Sequence, residues 1–209
     1  MISKSIRIEV KDLKKHYGTK RGLDGCNAEF KSGDLNLIVG ENGSGKSTLL
    51  KCIMGLIRYD GMIIKDSYLT GYAPEEFVMP YFMNSRDFLE SIGRLKDVAS
   101  HKLSMQIEDS LAYFDLSEHA DKYIGSLSNG MRQKINLIQA FLNHPMMILL
   151  DEPLHGLDAL SQEKTIELIK QNLKDTLIII STHYPEQYRT RRKKIYRMEA
   201  GKIVHDPTL

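Results

Sequence analysis

In GENGSGKST, Gly40 to Thr48, three glycines, a lysine and three hydroxyls stand at a spacing suited to a chain of phosphates. Gly40, Gly43 and Gly45 allow the backbone to curl so that its N–H groups face an anion. A helix starting directly after them adds favourable partial positive charge. Lys46 would neutralise the terminal phosphates of ATP, and the Ser47 hydroxyl would ligate Mg²⁺. Glu41, Asn42, Ser44 and Thr48 complete the stretch assigned to the nucleotide. A second stretch, MMILLDEP, Met146 to Pro153, carries an apolar run to two acids. Asp151 would emerge at the carboxyl end of a buried strand and hold Mg²⁺ through water, and Glu152 would polarise an attacking water. These residue types suit phosphoryl transfer to water.

Such groups need a rigid frame, and the chain supplies the pattern of one. Ile6 to Leu13 alternates apolar and polar as a half-buried strand does, and a second strand is predicted near Cys26–Phe30. Asp34 to Gly40, DLNLIVG, reads as a buried strand feeding the glycine loop. Leu49, Leu50, Ile53, Met54 and Ile57 recur at helical spacing after Lys46. Residues 77–125 favour helix, around Ser85–Leu95 and Met105–Phe114. A helix over Asn129–Leu142 is stopped by Pro145. MMILLD and TLIIIS are buried strands flanking a helix over Ala159–Leu173, and KKIYRM with GKIVHD forms a terminal hairpin. Strands alternating with helices imply an α/β fold with a mainly parallel sheet covered on both faces.

With these elements in order, the chain resembles the ATP-hydrolysing subunit of the ATP-binding cassette (ABC) family over nearly its whole length. LSNGM, Leu127 to Met131, stands where that family carries L-S-G-G-Q, with Leu127, Ser128 and Gly130 retained. HGLDAL resembles the loop that follows the catalytic glutamate, with Asp158 as its acid, and IISTH places His183 as the family's switch histidine. Tyr17 fits the aromatic that stacks on adenine, although a half-exposed tyrosine before the turn at Gly18 would look the same. The resemblance implies a P-loop NTPase fold in one ABC nucleotide-binding domain. Its RecA-like core covers 1–76 and 126–209 with an antiparallel β part at the N-terminus, and its helical subdomain is inserted at about 77–125. It also implies that His183 bonds the γ-phosphate and orients water. Ser128, Asn129 and Gly130 would face a γ-phosphate held by another subunit, with Asp158 beside it.

Two departures from the family pattern stand out. Glu75, in GYAPEE, replaces a glutamine that contacts Mg²⁺ and couples the site to the transport subunit; its carboxylate would bind Mg²⁺ more tightly but repel the γ-phosphate, so slower or differently coupled turnover is expected. In SNGM, Asn129 tolerates left-handed backbone angles almost as glycine does, and Met131 puts an apolar group in place of an amide. L-S-x-G-M is common in the family's drug- and peptide-export branch.

Composition narrows the partners. The 209 residues, 42% hydrophobic and 27% charged, are those of a globular chain able to bury a sizeable core. A formal net charge of +2 gives no electrostatic case for nucleic acid. Cys26 and Cys52 read as reduced thiols, and no apolar run suggests a signal peptide or a membrane span. FVMPYFM, Phe77 to Met83, reads either as packing for the helical insertion or as a groove for a short helix of a membrane subunit. The basic run from Arg189 to Lys194 reads as a solvated face, with lipid headgroups the alternative contact, and neither His144 nor His155 has partners at metal spacing.

The expected function is an ATPase subunit, bound peripherally to the cytoplasmic side of a membrane through a separate transport subunit. It would pair head-to-tail with a second nucleotide-binding subunit. Some two dozen residues follow His183, so an added C-terminal regulatory domain is not expected, and a compact exporter of drugs or peptides is. The competing readings are a soluble ABC ATPase acting on the ribosome, nucleic acid or cluster assembly, and a switch that binds ATP without hydrolysing it.

Overall fold

The computed structural model describes residues 6–18, 20–66, 68–96 and 100–204. In chain order it contains β1 (Arg7–Tyr17), β2 (Lys20–Lys31), β3 (Leu35–Val39), α1 (Lys46–Met54), β4 (Asp60–Lys65), β5 (Thr70–Ala73), α2 (Ser85–Leu95) and α3 (Ser100–Tyr113). These are followed by α4 (Asn129–Phe141), β6 (Met147–Asp151), α5 (Ala159–Asn172), β7 (Leu177–Thr182), β8 (Lys193–Glu199) and β9 (Lys202–Val204). The strands form two sheets. One is antiparallel, in the order β2-β1-β4, and the other runs β5-β6-β7-β3-β8-β9. In the larger sheet every neighbouring pair is parallel except β8 with β9. This is the α/β frame that the alternation of strands and helices predicts.

The central strands are apolar throughout because both of their faces are covered. Ile148 and Leu150 of β6 and Ile178 and Ile180 of β7 join the core shared with α2, α3, α4 and α5. Met147, Leu149, Leu177 and Ile179, the alternate residues, join the core built with α1 and the antiparallel sheet. Period-two side-chain geometry turns one unbroken apolar run into two cores. Cys26 and Cys52 lie in the second core as free, buried thiols, and burial pushes both up to about 11. Among the described residues no helix is long and apolar enough to cross a membrane.

Several elements differ from the sequence reading. β1 runs on to Tyr17, β2 covers twelve residues, and α3 starts at Ser100 rather than near Met105. The terminal hairpin is present, and its first strand also pairs with β3 as part of the main sheet. β4 and β5 escape the sequence pattern altogether. β4 is largely solvent-facing, so it lacks apolar alternation, and β5 is the four-residue stretch TGYA with a glycine inside it.

That glycine has a steric reason. A Cβ on Gly71 would stand 1.8 Å from the carbonyl oxygen of Ala140, because α4 presses directly on the edge strand. Gly71→Ala is expected to lower stability by roughly 1–3 kcal/mol. Equilibrium urea unfolding checks this, and an unchanged midpoint would contradict the close docking of α4.

Candidate nucleotide site

The glycine loop leaves β3 at Val39 and re-enters helix at Lys46, pinned from two sides. At Gly45, φ is 111°, and an added Cβ would lie 2.4 Å from the carbonyl oxygen of Gly22. A Cβ on Gly40 would lie 2.3 Å from the carbonyl oxygen of Met198. Side chains are thus excluded by backbone, which no rotamer change can relieve. Gly201 donates its N–H to the Ser44 carbonyl at 2.8 Å, fixing the loop against the β8–β9 turn. Lys46 Nζ curls into the loop and donates to the carbonyls of Gly40 at 2.7 Å and Glu41 at 3.1 Å. Its ammonium is therefore held by the loop's own backbone, within the cradle.

A cleft of about 480 Å³ opens beside this loop. It gathers Tyr17, Asn42, Gly43, Gly45, Lys46, Ser47, Thr48, Glu75, Asp151 and Glu152. The Tyr17 ring is half-exposed at its rim, in reach of Gly22, whose added Cβ would meet both Tyr17 Cε2 and Thr48 Cγ2. Gly40, Glu41, Ser44 and His183 line a second, larger cavity of about 870 Å³ on the other flank of the loop, and Asn42 and Gly43 face both.

Asp151 ends β6 almost fully buried, and its Oδ1 accepts a hydrogen bond from Ser181 Oγ, the residue opposite it on β7. Glu152 follows with φ at 47°, a left-handed conformation that costs any residue with a Cβ energy and that its surroundings must enforce. Its N–H donates to the Ser181 carbonyl at 3.1 Å and its own carbonyl accepts from His155 N–H at 3.1 Å. His183 Nδ1 lies 2.6 Å from Glu152 Oε1. Burial is the main reason that the Glu152 carboxyl is pushed up to about 7; the charges of Glu75 and Asp151 add to the rise, while Lys46 and the His183 backbone N–H oppose it. Among the described residues no three His, Cys, Asp or Glu side chains converge as a metal cage. A magnesium ion suits this cleft in another way, since it is commonly held by one or two carboxylates, phosphates and water.

Ser128, Asn129, Gly130 and Asp158 line neither cavity. Ser128 is the N-cap of α4 and its Oγ accepts from Met131 N–H at 3.2 Å. Asn129 is the first helical residue and is not left-handed, so the conformational tolerance expected of it is not used. Instead its Oδ1 accepts from Arg132 Nη2, which a glycine could not offer. Gly130 lies under Gly156, whose carbonyl oxygen would be 2.9 Å from an added Cβ. Met131 packs against the larger core. Asp158 caps α5, accepting from Ser161 N–H at 2.9 Å and Ser161 Oγ at 2.7 Å, and those bonds hold its carboxyl down at about 2. FVMPYFM divides: Phe77, Met79 and Met83 turn into the core, while Val78, Tyr81 and Phe82 are exposed.

Sequence reasoning passed over several residues that hold this site. Ser181 was hidden in an apolar strand, and Gly22 in a strand rather than a loop. Tyr188 is a fully buried phenol pushed upward by burial and by the charge of Glu152. Gln133, Asn136 and Gln139 recur at helical spacing on α4, and the polar residues among apolar ones in INLIQA were the available signal.

A sequence model described as ABC transporter matches residues 23–155. The zinc import ATP-binding protein ZnuC of Rickettsia bellii (strain RML369-C) is 33% identical over 180 residues, covering 83% of this chain and 75% of that protein. The linearmycin resistance ATP-binding protein LnrL of Bacillus subtilis (strain 168) is 27% identical over 210 residues, covering 94% and 68%. A solved ATP-binding subunit of an ABC transporter superposes with a TM-score of 0.84 at 26% identity, covering 94% of this chain and 87% of that one. The chain belongs to the ABC transporter family, and within it to the ATP-binding subunits.

The raised Glu152 pKa carries a stability signature. The folded state holds the proton more tightly than the unfolded chain, so stability is highest below about pH 4.5 for this group and falls as pH rises toward 7. In nucleotide-free protein with EDTA, Glu152→Gln removes that loss. Its stability relative to the parent is expected to rise by on the order of 2–3 kcal/mol between pH 5 and pH 8. Thermal unfolding across that range measures it, and a pH-independent difference would show that the carboxyl is not perturbed.

Proposed function

We propose that the chain binds ATP with Mg²⁺ in the 480 Å³ cleft, hydrolyses it, and so powers a transporter whose membrane subunit is a separate chain. The observation that carries this reading is the buried Glu152, standing at the end of the cleft next to Lys46 and Asp151 with His183 Nδ1 2.6 Å from its carboxylate. The curled loop, Lys46 and the start of α1 receive the phosphates, and Tyr17 offers its face to the adenine. Ser47, Asp151 and Glu75, which line the same cleft, would hold Mg²⁺. Bound there, Mg²⁺ supplies charge neutralisation to the β- and γ-phosphates. Glu152 accepts the proton of the attacking water, and a base with a pKa near 7 suits that work at neutral pH. His183, whose Nδ1 stands 2.6 Å from that carboxylate, is the group suited to bond the γ-phosphate and orient the water.

Ser128, Asn129, Gly130 and Asp158 serve a different nucleotide. They lie at the starts of α4 and α5, away from the cleft, so they suit the ATP of a second cassette in a head-to-tail dimer. Exposed Val78, Tyr81 and Phe82 follow Glu75 directly and form the landing surface for a short helix of the membrane subunit, which keeps the chain at the membrane peripherally. Export of drugs or peptides is the direction supported by LSNGM and by the likeness to a linearmycin resistance protein, whereas the zinc-import relative shows that the family likeness alone does not set direction.

Glu152→Gln is expected to slow steady-state phosphate release by roughly 10²–10⁴-fold while ATP binding persists. Equal turnover would remove Glu152 from the role of base. Ser128→Arg is expected to leave binding of a fluorescent ATP analogue within about twofold and to abolish cooperative hydrolysis, since the arginine would fill the face meant for a second subunit's phosphate. Retained cooperativity would remove Ser128 from the site.

A further inference from the structure

We infer that Gln133, Asn136 and Gln139 form a hydrogen-bonded rail on α4 that positions Glu75 and Glu152 as one unit. The inference rests on the proposed hydrolysis at Glu152. The three residues are spaced by three along the helix and therefore share a face. Asn136 and Gln139 are 1% and 6% exposed, an unusual burial for amides in a helix that is otherwise apolar on its inner side. Each amide donates to a backbone carbonyl, two at the end of β5 and one in the turn after β6. Gln139 Nε2 donates to the Tyr72 carbonyl at 2.6 Å, Asn136 Nδ2 to the Pro74 carbonyl at 2.8 Å, and Gln133 Nε2 to the Pro153 carbonyl at 3.2 Å. They also bond to one another. Gln139 Nε2 donates to Asn136 Oδ1, and Asn136 Nδ2 donates to Gln133 Oε1, both at 3.2 Å.

The targets decide the role. Among the described residues β5 is an edge strand, paired only with β6, so its outward carbonyls need a partner elsewhere. Carbonyls two residues apart in a strand point the same way, which is why Tyr72 and Pro74 both meet α4. The Pro74 carbonyl belongs to the peptide that joins Glu75, so its bond to Asn136 sets the direction in which Glu75 leaves the strand. The Pro153 carbonyl lies one residue beyond Glu152, in the turn whose left-handed φ must be enforced. The Ser181 carbonyl holds that turn from β7, and Gln133 holds it from α4. At its far end α4 is tied by Lys96, whose Nζ donates to the Gln139 carbonyl at 2.6 Å. The helix therefore behaves as one body whose first turn is capped by Ser128. The rail thus ties the capped start of α4 to the backbone beside both carboxylates of the cleft.

These are positioning residues, and their test separates positioning from folding. Asn136→Leu keeps the branched shape and removes the donor, Gln133→Ala removes the contact to Pro153, and a third variant combines the two. Phosphate release, the KM for ATP, the affinity for a fluorescent ATP analogue and the Tm are measured on the full chain, at protein concentrations that give a measurable parent rate. The expected result is a kcat lowered about 10- to 100-fold in each single variant, with nucleotide affinity within about twofold. The double variant is expected to be no slower than the worse single one, because the two act through one rail. Single-variant kcat values within twofold of the parent, or losses that track Tm or multiply in the double variant, would overturn the rail. Absence of turnover in the parent, or a Glu152→Gln variant as fast as the parent, would overturn the hydrolytic reading itself.

Discussion

Everything in this molecule follows from three parallel strands that end at one edge. β3, β6 and β7 are hydrogen-bonded neighbours, with Val39 opposite Thr182 and Asp151 opposite Ser181. The next residues along each strand are Gly40, Glu152 and His183. Parallel pairing thus delivers the glycine loop, the acid and the histidine to the same layer without any need for them to be near in sequence. The two-sided burial that makes these strands apolar also makes them rigid, and rigidity is what a site relying on placement requires.

At that edge the charges are unbalanced by design of the fold. Glu75, Asp151 and Glu152 face a single ammonium, Lys46, in one cleft. Asp151 is relieved by the Ser181 hydroxyl, and Glu152 is left buried with its pKa near 7. A polyphosphate with a divalent cation would resolve this arrangement, the cation meeting the carboxylates and the loop with Lys46 meeting the anion. Glu75 in place of the family's usual amide makes the cleft more acidic and helps to raise Glu152.

The parts legible in the sequence were those whose physics is local. Gly45 and Lys46 declare the loop because the left-handed turn and the cation are set by residue type, and the runs at Met147–Asp151 and Leu177–Thr182 declare buried strands by length and apolarity. The parts that escaped depend on contacts distant in the chain. β5 looks like a loop until α4 and β6 are seen to flank it, and the amides of α4 look like surface residues until the carbonyls of Tyr72, Pro74 and Pro153 are found beneath them. Asn129 was read by its tolerance for left-handed angles, but the cap at Ser128 already commits it to the helix. The division of the loop between two cavities had no sequence signal, since it arises from the approach of the β8–β9 turn.

The central claim is that the glycine loop and the capped start of α4 are halves of composite sites completed by two copies. It is tested most directly by complementation. Lys46→Ala damages the loop and Ser128→Arg damages the cap, so each variant alone lacks any intact site. A mixed dimer of the two holds one intact site, and random pairing of equal amounts makes half of the dimers mixed. Phosphate release is therefore predicted to recover on mixing to at most about a quarter of the parent rate, the value reached when the intact site needs no help from the other. A mixture no more active than its inactive components would contradict the account.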